Sequence, residues 1–398
     1  MPVPLPLAGL RVLDMASLAA GPLAATYLGE FGADVVKLEP PGVGDAIRGW
    51  GAQRDGVGVM WKSLSRNKRS VTVDLRTPDG QDLARLIAAT CDVVVANTRP
   101  ATLRRWGLDH ERLRAQDPRL VVLHVTGFGL EGPKAERPGF GTVGEAMSGF
   151  AHLTGEAGGP PTLPAFMLAD GVASLTAAYA VMTALYERDT RTGEGRLVDV
   201  NLVDPLARLI EQALLTWDVT GEVPGRRGNR WDISAPRNTY RTADDRWIAM
   251  SGSAPTVALR VFRAIGRADL AEDPDLADPQ RRLARAGEVD AVVAAWVARH
   301  TADEAMAVFE AAEIAAGPVY TVADLVADEQ MVAREVFRRV PDDEVGSLLV
   351  QSPVPRLSGV EARVDHLGPP LGAHTDEVLA EIGVDGAARA GLRARGVI

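Results

Sequence analysis

Strand-like and helix-like patterns alternate along the first part of the chain. Short apolar runs bounded by glycine, proline or polar residues predict strands at residues 10–14, 34–39, 92–97 and 120–126. Between them we predict helices at 22–31 and 77–89, the second with Thr77 as its N-cap and Pro78 in its first turn. This alternation is typical of an α/β fold with a parallel sheet covered by helices on both faces.

Candidate ligand-binding residues follow two of the predicted strands. Asn97, Thr98 and Arg99 come after one strand, and Gly127-Phe128-Gly129 comes after another. In parallel α/β sheets ligands collect at the carboxyl ends of the strands. We therefore expect a binding site at this edge of the sheet.

Asp170 is the most informative single residue. A long apolar helix is predicted from Gly171 to Arg188, and Asp170 directly precedes it, near the free N–H groups and the positive end of the helix dipole. N-capping is the common role of an aspartate in this place. The rigid apolar segment 160–167 before it could also shield a nucleophilic carboxylate from water, which indicates chemistry. The helix is too short and too rich in Ala, Ser and Thr to predict a membrane span.

The composition changes after Thr216. A glycine-rich basic loop follows, and then the sequence predicts a hairpin at 238–242 and 246–250 and helices up to about residue 316. The segment Gly317 to Tyr320 is interpreted as the exit from this part. We predict a large domain at 1–216, a smaller α+β domain at 225–325, and a C-terminal part at 335–398 that returns to the large domain.

Composition excludes several classes of partner. The chain has 398 residues and a net charge of −10, which disfavours nucleic acid as a partner.

Cys91 is the only cysteine, so an internal disulfide or a cysteine-based metal site is excluded, and we expect a buried structural thiol. The first residues lack the basic region of a secretory signal. A cytoplasmic location is therefore expected.

Several familiar motifs fail on their context. Residues 127–132 match G-x-G-x-x-G, but Pro133 and Pro138 follow and no helix is predicted to receive a pyrophosphate. The six histidines show no metal-ligand spacing, and no G-x-S-x-G elbow is present. We expect no metal and no permanently bound cofactor. Basic clusters at 66–69 and 99–105 either form a solvated surface or bind phosphates.

Taken in order, many segments resemble class III CoA-transferases, the family of formyl-CoA transferase and carnitine CoA-transferase. The resemblance covers nearly the whole chain. It rests on the segments 10–22, 31–41, 67–75, 92–107, 126–129, 138–140, 146–149, 169–171, 192–195 and 370–375.

This resemblance implies a role for Asp170. The matching aspartate of the family attacks an acyl-CoA thioester, forms a mixed anhydride, and then carries CoA as an enzyme-bound thioester; such a route divides one difficult exchange into easier steps. The resemblance also implies a Rossmann-like large domain, an interlocked homodimer, and an oxyanion-binding loop at Gly225 to Arg230. The CoA-binding positions that it implies are Ala19, Ala20, Val73, Asp74, Leu75, Arg76, Asn97, Thr98, Arg99, Arg105, Pro138, Gly139, Phe140 and Gly141.

The chain departs from the family pattern at several positions. Ser17 and Ala19 replace the His and Gln of formyl-CoA transferase, so an oxalate site built on them is not expected. Gly141 stands where many relatives carry an acidic residue, so any helper role of that acid is lost here. Pro138 to Thr142 with Glu145 resembles a branch that uses small dicarboxylic acids. The arginines of the basic loop are Arg226, Arg227 and Arg230. They could bind the second carboxylate of such an acid, although they could equally bind CoA phosphate or form a solvated linker.

Two alternatives to CoA transfer stay open from the sequence. The first is an α-methylacyl-CoA racemase, which needs an acid/base pair around the α-carbon. The racemases place a histidine where Phe140 stands, and this disfavours the alternative. The second is a protein that binds CoA thioesters without catalysis, against which only the intact Asp170 segment argues.

Overall fold

Six parallel strands form the central sheet of the first of two compact units. The structure is a computed structural model and describes residues 4–398. The first unit contains the described residues up to Phe150 together with Leu163–Val219 and Ala333–Ile398; the second contains Ala151–Thr162 and Thr220–Val332. The predicted domains at 1–216, 225–325 and 335–398 stay a prediction.

The strands are numbered in chain order. They are β1 (Arg11–Asp14), β2 (Asp34–Glu39), β3 (Gln53–Arg54), β4 (Val57–Gly58), β5 (Lys68–Thr72), β6 (Val93–Ala96), β7 (Val121–Thr126), β8 (Leu197–Asn201), β9 (Arg237–Arg241), β10 (Trp247–Ser251), β11 (Ala316–Pro318), β12 (Phe337–Asp342) and β13 (Gly346–Gln351).

The helices are numbered in the same way, apart from a 3₁₀ turn at Ala46–Gly49 and a π turn at Arg188–Thr192. They are α1 (Ala20–Glu30), α2 (Val59–Leu64), α3 (Pro78–Ala88), α4 (Pro100–Trp106), α5 (His110–Gln116), α6 (Gly141–Met147), α7 (Phe150–Leu153), α8 (Leu168–Glu187), α9 (Asp204–Leu209), α10 (Glu211–Thr220), α11 (Pro255–Ala264), α12 (Ala268–Ala271), α13 (Pro274–Ala277), α14 (Pro279–Ala284), α15 (Ala286–Val297), α16 (Ala302–Ala311), α17 (Val322–Ala327), α18 (Glu329–Ala333), α19 (Thr375–Glu381) and α20 (Gly386–Ala394).

The central sheet has the strand order β5-β2-β1-β6-β7-β8, and all its pairs are parallel. Valines fill β6 and β7, and both faces of the sheet are buried, one against α1 and α8 and the other against α3 and the C-terminal helices. The predicted α/β class and the four predicted strands are confirmed. Strands β5 and β8 were not predicted from periodicity, because each mixes charged or polar residues with its apolar ones.

A local side-chain cap determines where α3 begins, whereas tertiary packing determines where α8 begins. The Thr77 hydroxyl accepts the N–H of Gly80 at 3.1 Å, so the predicted N-cap is confirmed. Helix α8 begins at Leu168, three residues earlier than predicted, and Asp170 therefore lies inside the first turn rather than before it. This corrects the N-cap interpretation, since Met167 is the cap and provides no side-chain hydrogen bond.

Helix α8 with the π turn is long and apolar enough to cross a membrane by length and composition alone. Its alanine-rich face, which includes Ala173, Ala177 and Val181, is instead buried against α1 and the sheet. Small side chains on both helices allow their axes to approach closely. Residues at this face therefore belong to the protein core.

The end of the chain belongs to the first unit. Val378 and Leu379 of α19 and the terminal Val397 and Ile398 are buried in the core beneath β5. The Thr375 hydroxyl accepts the N–H of Thr72 at 3.0 Å. The last residues of the chain thus complete one face of the central sheet.

The second unit is built on a three-stranded antiparallel sheet of order β11-β10-β9. The predicted hairpin is confirmed as β9 and β10, with Tyr240 opposite Ile248. Gly317 and Pro318, predicted to mark an exit, form the third strand, in which Pro318 pairs with Ile248. Buried Asp290 accepts hydrogen bonds from several side chains around this sheet, namely Arg230, Asn238 and Tyr240.

Four buried charges lie under the carboxyl edge of the central sheet. The Lys68 ammonium is 2.9 Å from Asp14, and the Lys37 ammonium is 3.0 Å from Asp45 and 3.7 Å from Asp14. Burial alone would lower the pKa of Lys37, but the carboxylates of Asp14 and Asp45, helped by Glu39, raise it above its ordinary value. The two lysines and two aspartates therefore form a neutral, mutually dependent set.

Asp14→Asn should strongly destabilise the protein, because it keeps the shape of the side chain but leaves the two lysines with one full counter-charge. Loss of one partner from a buried ion pair typically costs about 3–5 kcal/mol. Urea unfolding at a fixed protein concentration measures the change. Exposed Asp218, for which no ion pair exists among residues 4–398, supplies the control Asp218→Asn. Equal stability of the two variants would contradict the dependence.

Candidate active site

A pocket of about 380 Å³ opens at the carboxyl edge of the central sheet. It lies beside the starts of α1, α6 and α8, next to the ends of β1, β6 and β7. The lining residues are Ser17, Leu18, Ala19, Ala20, Trp50, Asn97, Val125, Thr126, Gly127, Gly139, Phe140, Gly141, Thr142, Glu145, Leu163, Pro164, Phe166, Met167, Asp170 and Leu202.

Asp170 is fixed between the first turns of two helices. The backbone N–H groups of Ala20, at the start of α1, and of Asp170 itself lie near its carboxylate. The buried Ser174 hydroxyl lies 2.8 Å from the carbonyl oxygen of Ala20 and 2.5 Å from that of Asp170. These contacts join α1 to α8 and leave the carboxylate facing the pocket.

The electrostatic surroundings make Asp170 more basic than an ordinary aspartate. Burial raises the pKa of its carboxyl, and the neighbouring negative charge of Glu145 raises it further, while the nearby backbone N–H groups of Asp170 and Ala20 act in the opposite direction. A partly desolvated carboxylate with a raised pKa is a stronger nucleophile than one in water. The site thus combines a fixed position with increased basicity.

One face of α6 brings the helix close to Asp170. Gly141, Gly144 and Glu145 share this face, since positions three and four apart on a helix are neighbours. A Cβ at residue 141 would overlap the Oδ2 atom of Asp170, and a Cβ at residue 144 would lie 2.5 Å from the carbonyl oxygen of Leu202. A larger residue at 144 would meet backbone, and one at 141 would displace the Asp170 carboxylate.

The loop after β1 is fixed by polar contacts on both sides. The Asn97 side chain accepts the Ser17 N–H at 2.9 Å and donates to the Ser17 carbonyl oxygen at 2.7 Å. Leu18 has a φ of +66°, which is unfavourable for a leucine, and its N–H donates to Asp45 at 3.0 Å. The buried charge set under the sheet, which includes Asp45, thus also holds this loop.

Two glycine-rich segments cross beside the pocket. A Cβ at Gly127 would lie 2.7 Å from the Cα of Gly139. The segment that matches G-x-G-x-x-G therefore uses its first glycine for packing against the 138–140 segment. No helix begins between residues 127 and 140, as the sequence predicted.

The mouth of the pocket is apolar. Phe140 is 59% exposed and Phe166 is 68% exposed, and Trp50 and Leu163 are also largely open to solvent. Phe166 and Leu163 belong to the segment before α8 that the sequence predicted to shield Asp170. Large exposed apolar side chains around a pocket are typical of a surface that a ligand covers.

The predicted site residues divide into two groups. Ala19, Ala20, Asn97, Gly139, Phe140 and Gly141 line the pocket together with Asp170. Eight others lie outside its lining: Val73, Asp74, Leu75, Arg76, Thr98, Arg99, Arg105 and Pro138.

Some of these eight residues nevertheless lie at the carboxyl edge of the sheet. Residues 73–76 follow β5, and Thr98 and Arg99 follow β6. Arg76 is largely exposed and donates to Asp74 at 2.8 Å, while Arg99 and Arg105 are exposed. Their predicted contacts with CoA stay predictions.

The basic loop lies in the second unit, where each arginine has partners. Arg226 donates to the carbonyl oxygens of Gly159 and His152, both at 2.9 Å. Arg227 pairs with Asp232 at 2.6 Å, and Arg230 pairs with Asp290 at 2.6 Å. The N–H of Gly228, in the predicted oxyanion loop, donates to the carbonyl oxygen of Gly155 at 2.9 Å.

Sequence reasoning missed several pocket residues, among them Trp50 and Leu18. Trp50 follows the 3₁₀ turn that Asp45 caps, and Leu18 requires a positive φ that no sequence pattern indicates.

Cys91 is buried as predicted, and burial raises the pKa of its thiol to about 12. Among residues 4–398 no cluster of His, Cys, Asp and Glu could hold a metal ion.

Comparisons with known proteins indicate one family. The model of CoA-transferase family III matches residues 7–375. Succinyl-CoA–D-citramalate CoA-transferase of Chloroflexus aurantiacus is 38% identical over 380 residues, which cover 95% of this chain and 94% of that protein. Succinate–glutarate CoA-transferase of Agrobacterium fabrum is 32% identical, covering 95% and 96%. The crystal structure of a CAIB/BAIF family protein from Brucella suis is similar with a TM-score of 0.83 at 31% identity, covering 96% of this chain and 100% of that chain.

Gly141→Ala should reduce CoA transfer while leaving the protein folded, because the new methyl group displaces the Asp170 carboxylate. A displacement of about 1 Å can lower a rate roughly a hundredfold. Steady-state transfer rates and circular dichroism measure the two effects. Gly391→Ala, on α20, is the matched control, since its methyl group meets only the end of the Arg395 side chain at 3.4 Å. Wild-type rates for Gly141→Ala would show that Asp170 is not positioned this way.

Proposed function

The chain belongs to CoA-transferase family III, and from this premise we propose that it moves CoA from an acyl-CoA donor to a small dicarboxylic acid through covalent intermediates on Asp170. The observation that carries the proposal is the position of Asp170, fixed in the first turn of α8 and facing the pocket. The relatives support a dicarboxylic acceptor, since their names include succinyl-CoA with D-citramalate and succinate with glutarate.

The reaction begins with attack by Asp170. A carboxylate oxygen forms a bond to the carbonyl carbon of the donor thioester, the carbon–sulfur bond breaks, and CoA leaves as a thiolate with the electron pair. The product on the enzyme is a mixed anhydride. Because the leaving thiolate is stable at neutral pH, this step needs no general acid.

The thiolate then attacks the side-chain carbonyl carbon of Asp170, which releases the donor acid and leaves CoA on the enzyme as a thioester. The acceptor carboxylate attacks the same carbon and expels the thiolate, and a second mixed anhydride forms. Attack by the thiolate on the acceptor carbonyl carbon gives the product thioester and restores the Asp170 carboxylate. Bonds made and broken balance over the cycle, and no proton is consumed.

We also propose that CoA is held by the positions that the resemblance implies, that no cofactor is permanently bound, and that the protein is cytoplasmic. An interlocked homodimer is proposed on the same basis. Exposed apolar side chains in the first unit support an interface, among them Tyr179 and Tyr186 on α8 and Trp217 on α10. A stable, active monomer in light scattering would contradict the dimer, and recovery outside the cytoplasmic fraction would contradict the location.

Asp170→Ala should abolish transfer, because no other step of the proposed route can form the anhydride. We expect a loss of at least about a thousandfold in kcat, with the fold retained. Hydroxylamine during wild-type turnover should convert Asp170 to a hydroxamate, and borohydride should reduce its thioester state, both visible by peptide mass spectrometry. Asp218→Ala is the control. Unmodified Asp170 after both treatments, or more than a tenth of wild-type activity in Asp170→Ala, would contradict covalent catalysis.

Dicarboxylic acceptors should be preferred to monocarboxylic acids of equal length. A second carboxylate that pairs with an arginine gains an interaction worth about 1–3 kcal/mol, which corresponds to roughly tenfold or more in kcat/KM. A panel of acids with succinyl-CoA as donor tests this. Equal use of both acid classes would contradict the preference for dicarboxylic acids but not CoA transfer itself.

A further inference from the structure

Glu145 is a buried carboxylate beside the proposed nucleophile, and the proposed reaction assigns it no step. It is 4% exposed, lies on α6 and lines the same pocket as Asp170. Its Oε1 atom accepts the N–H of Ala169 at 3.3 Å. Burial of a second carboxylate next to the first is energetically costly, and such groups cluster at functional sites.

We propose that Glu145 is a positioning residue for Asp170: it holds the first turn of α8 through the Ala169 N–H, and its negative charge favours the stages at which Asp170 is acylated. This proposal rests on the proposed function. It concerns one pair of side chains inside the first unit.

The geometry supports the positioning part. The first N–H groups of a helix have no partner within the helix, and Ala169 is the second residue of α8. The Glu145 side chain supplies the missing acceptor from a different helix. Since Asp170 is the next residue along the chain, this contact orients the backbone that carries the nucleophile.

The charge of Asp170 changes along the proposed reaction. Asp170 is negative before the reaction, but both its anhydride and its thioester are neutral. Repulsion between two carboxylates in a partly desolvated pocket is therefore present before acylation and relieved after it. The direction of the Asp170 pKa agrees with this repulsion, because Glu145 acts to raise it.

Other charged groups around α8 are engaged elsewhere. Glu30 of α1 pairs with Arg66, Asp199 of β8 accepts the Leu130 N–H, and Asp204 of α9 accepts from Asn201. The His124 ring of β7 bonds to the Thr98 carbonyl oxygen, and Arg208 of α9 is exposed. Among residues 4–398, Glu145 and Asp170 are the two charged residues that line the pocket.

Glu145→Gln separates the two contributions, since glutamine keeps an acceptor for Ala169 but removes the charge. We expect the acidic limb of the kcat/KM profile to move to lower pH, because Asp170 then ionises more readily. Above that limb the rate should fall roughly tenfold, because a less basic carboxylate attacks more slowly. The fraction of enzyme carrying the CoA thioester, measured by intact-protein mass spectrometry, should also fall. Exposed Glu111→Gln is the control.

Two results would overturn the proposal. One is a Glu145→Gln profile that is lowered uniformly with its acidic limb unmoved, which indicates only structural damage. The other is a wild-type profile and thioester fraction in the variant. Glu145→Ala repeats the comparison should the glutamine variant not fold. Failure of CoA transfer or of Asp170 labelling in the wild-type enzyme would instead contradict the proposed function itself.

Discussion

The carboxyl edge of the sheet depends on a neutral set of four buried charges. Asp14, at the end of β1, lies between the ammonium groups of Lys37 and Lys68, and Asp45 completes the set by pairing with Lys37. Such groups are stable without water only as a complete set, since each lost partner leaves an uncompensated charge. Asp45 also accepts the N–H of Leu18, so the same electrostatics holds a strained residue of the pocket wall.

Close approach of backbone segments then shapes the pocket. Gly141 and Gly144 let α6 approach the start of α8, and the alanine-rich faces of α1 and α8 let those helices pack together. The result is a carboxylate with backbone donors on one side and a second carboxylate nearby. A nucleophile benefits from this: the Ser174 hydroxyl joins the backbone of Asp170 to that of Ala20, and the burial and repulsion keep the carboxylate basic.

The sequence was sufficient for much of the central sheet and for the identity of the candidate nucleophile. Continuous valine-rich runs such as β6 and β7, short and alternating with helices, are typical of buried strands of a sheet covered on both faces. Polar strands were not predictable in this way. Lys68 and Ser70 of β5 are buried because their partners come from distant segments, and periodicity contains no information about partners.

The start of α8 shows where local reasoning ends. Local preferences place a helix start after an aspartate, yet α8 begins at Leu168, where Glu145 accepts the N–H of Ala169 and replaces a local cap. By itself the sequence determined the strands that hydrophobic burial dictates, the nearby cap at Thr77, and Asp170 as the residue to test. Tertiary structure alone decided the pairing of buried charges, the glycine contacts and the surroundings of Asp170, because these depend on distances between segments far apart in the chain.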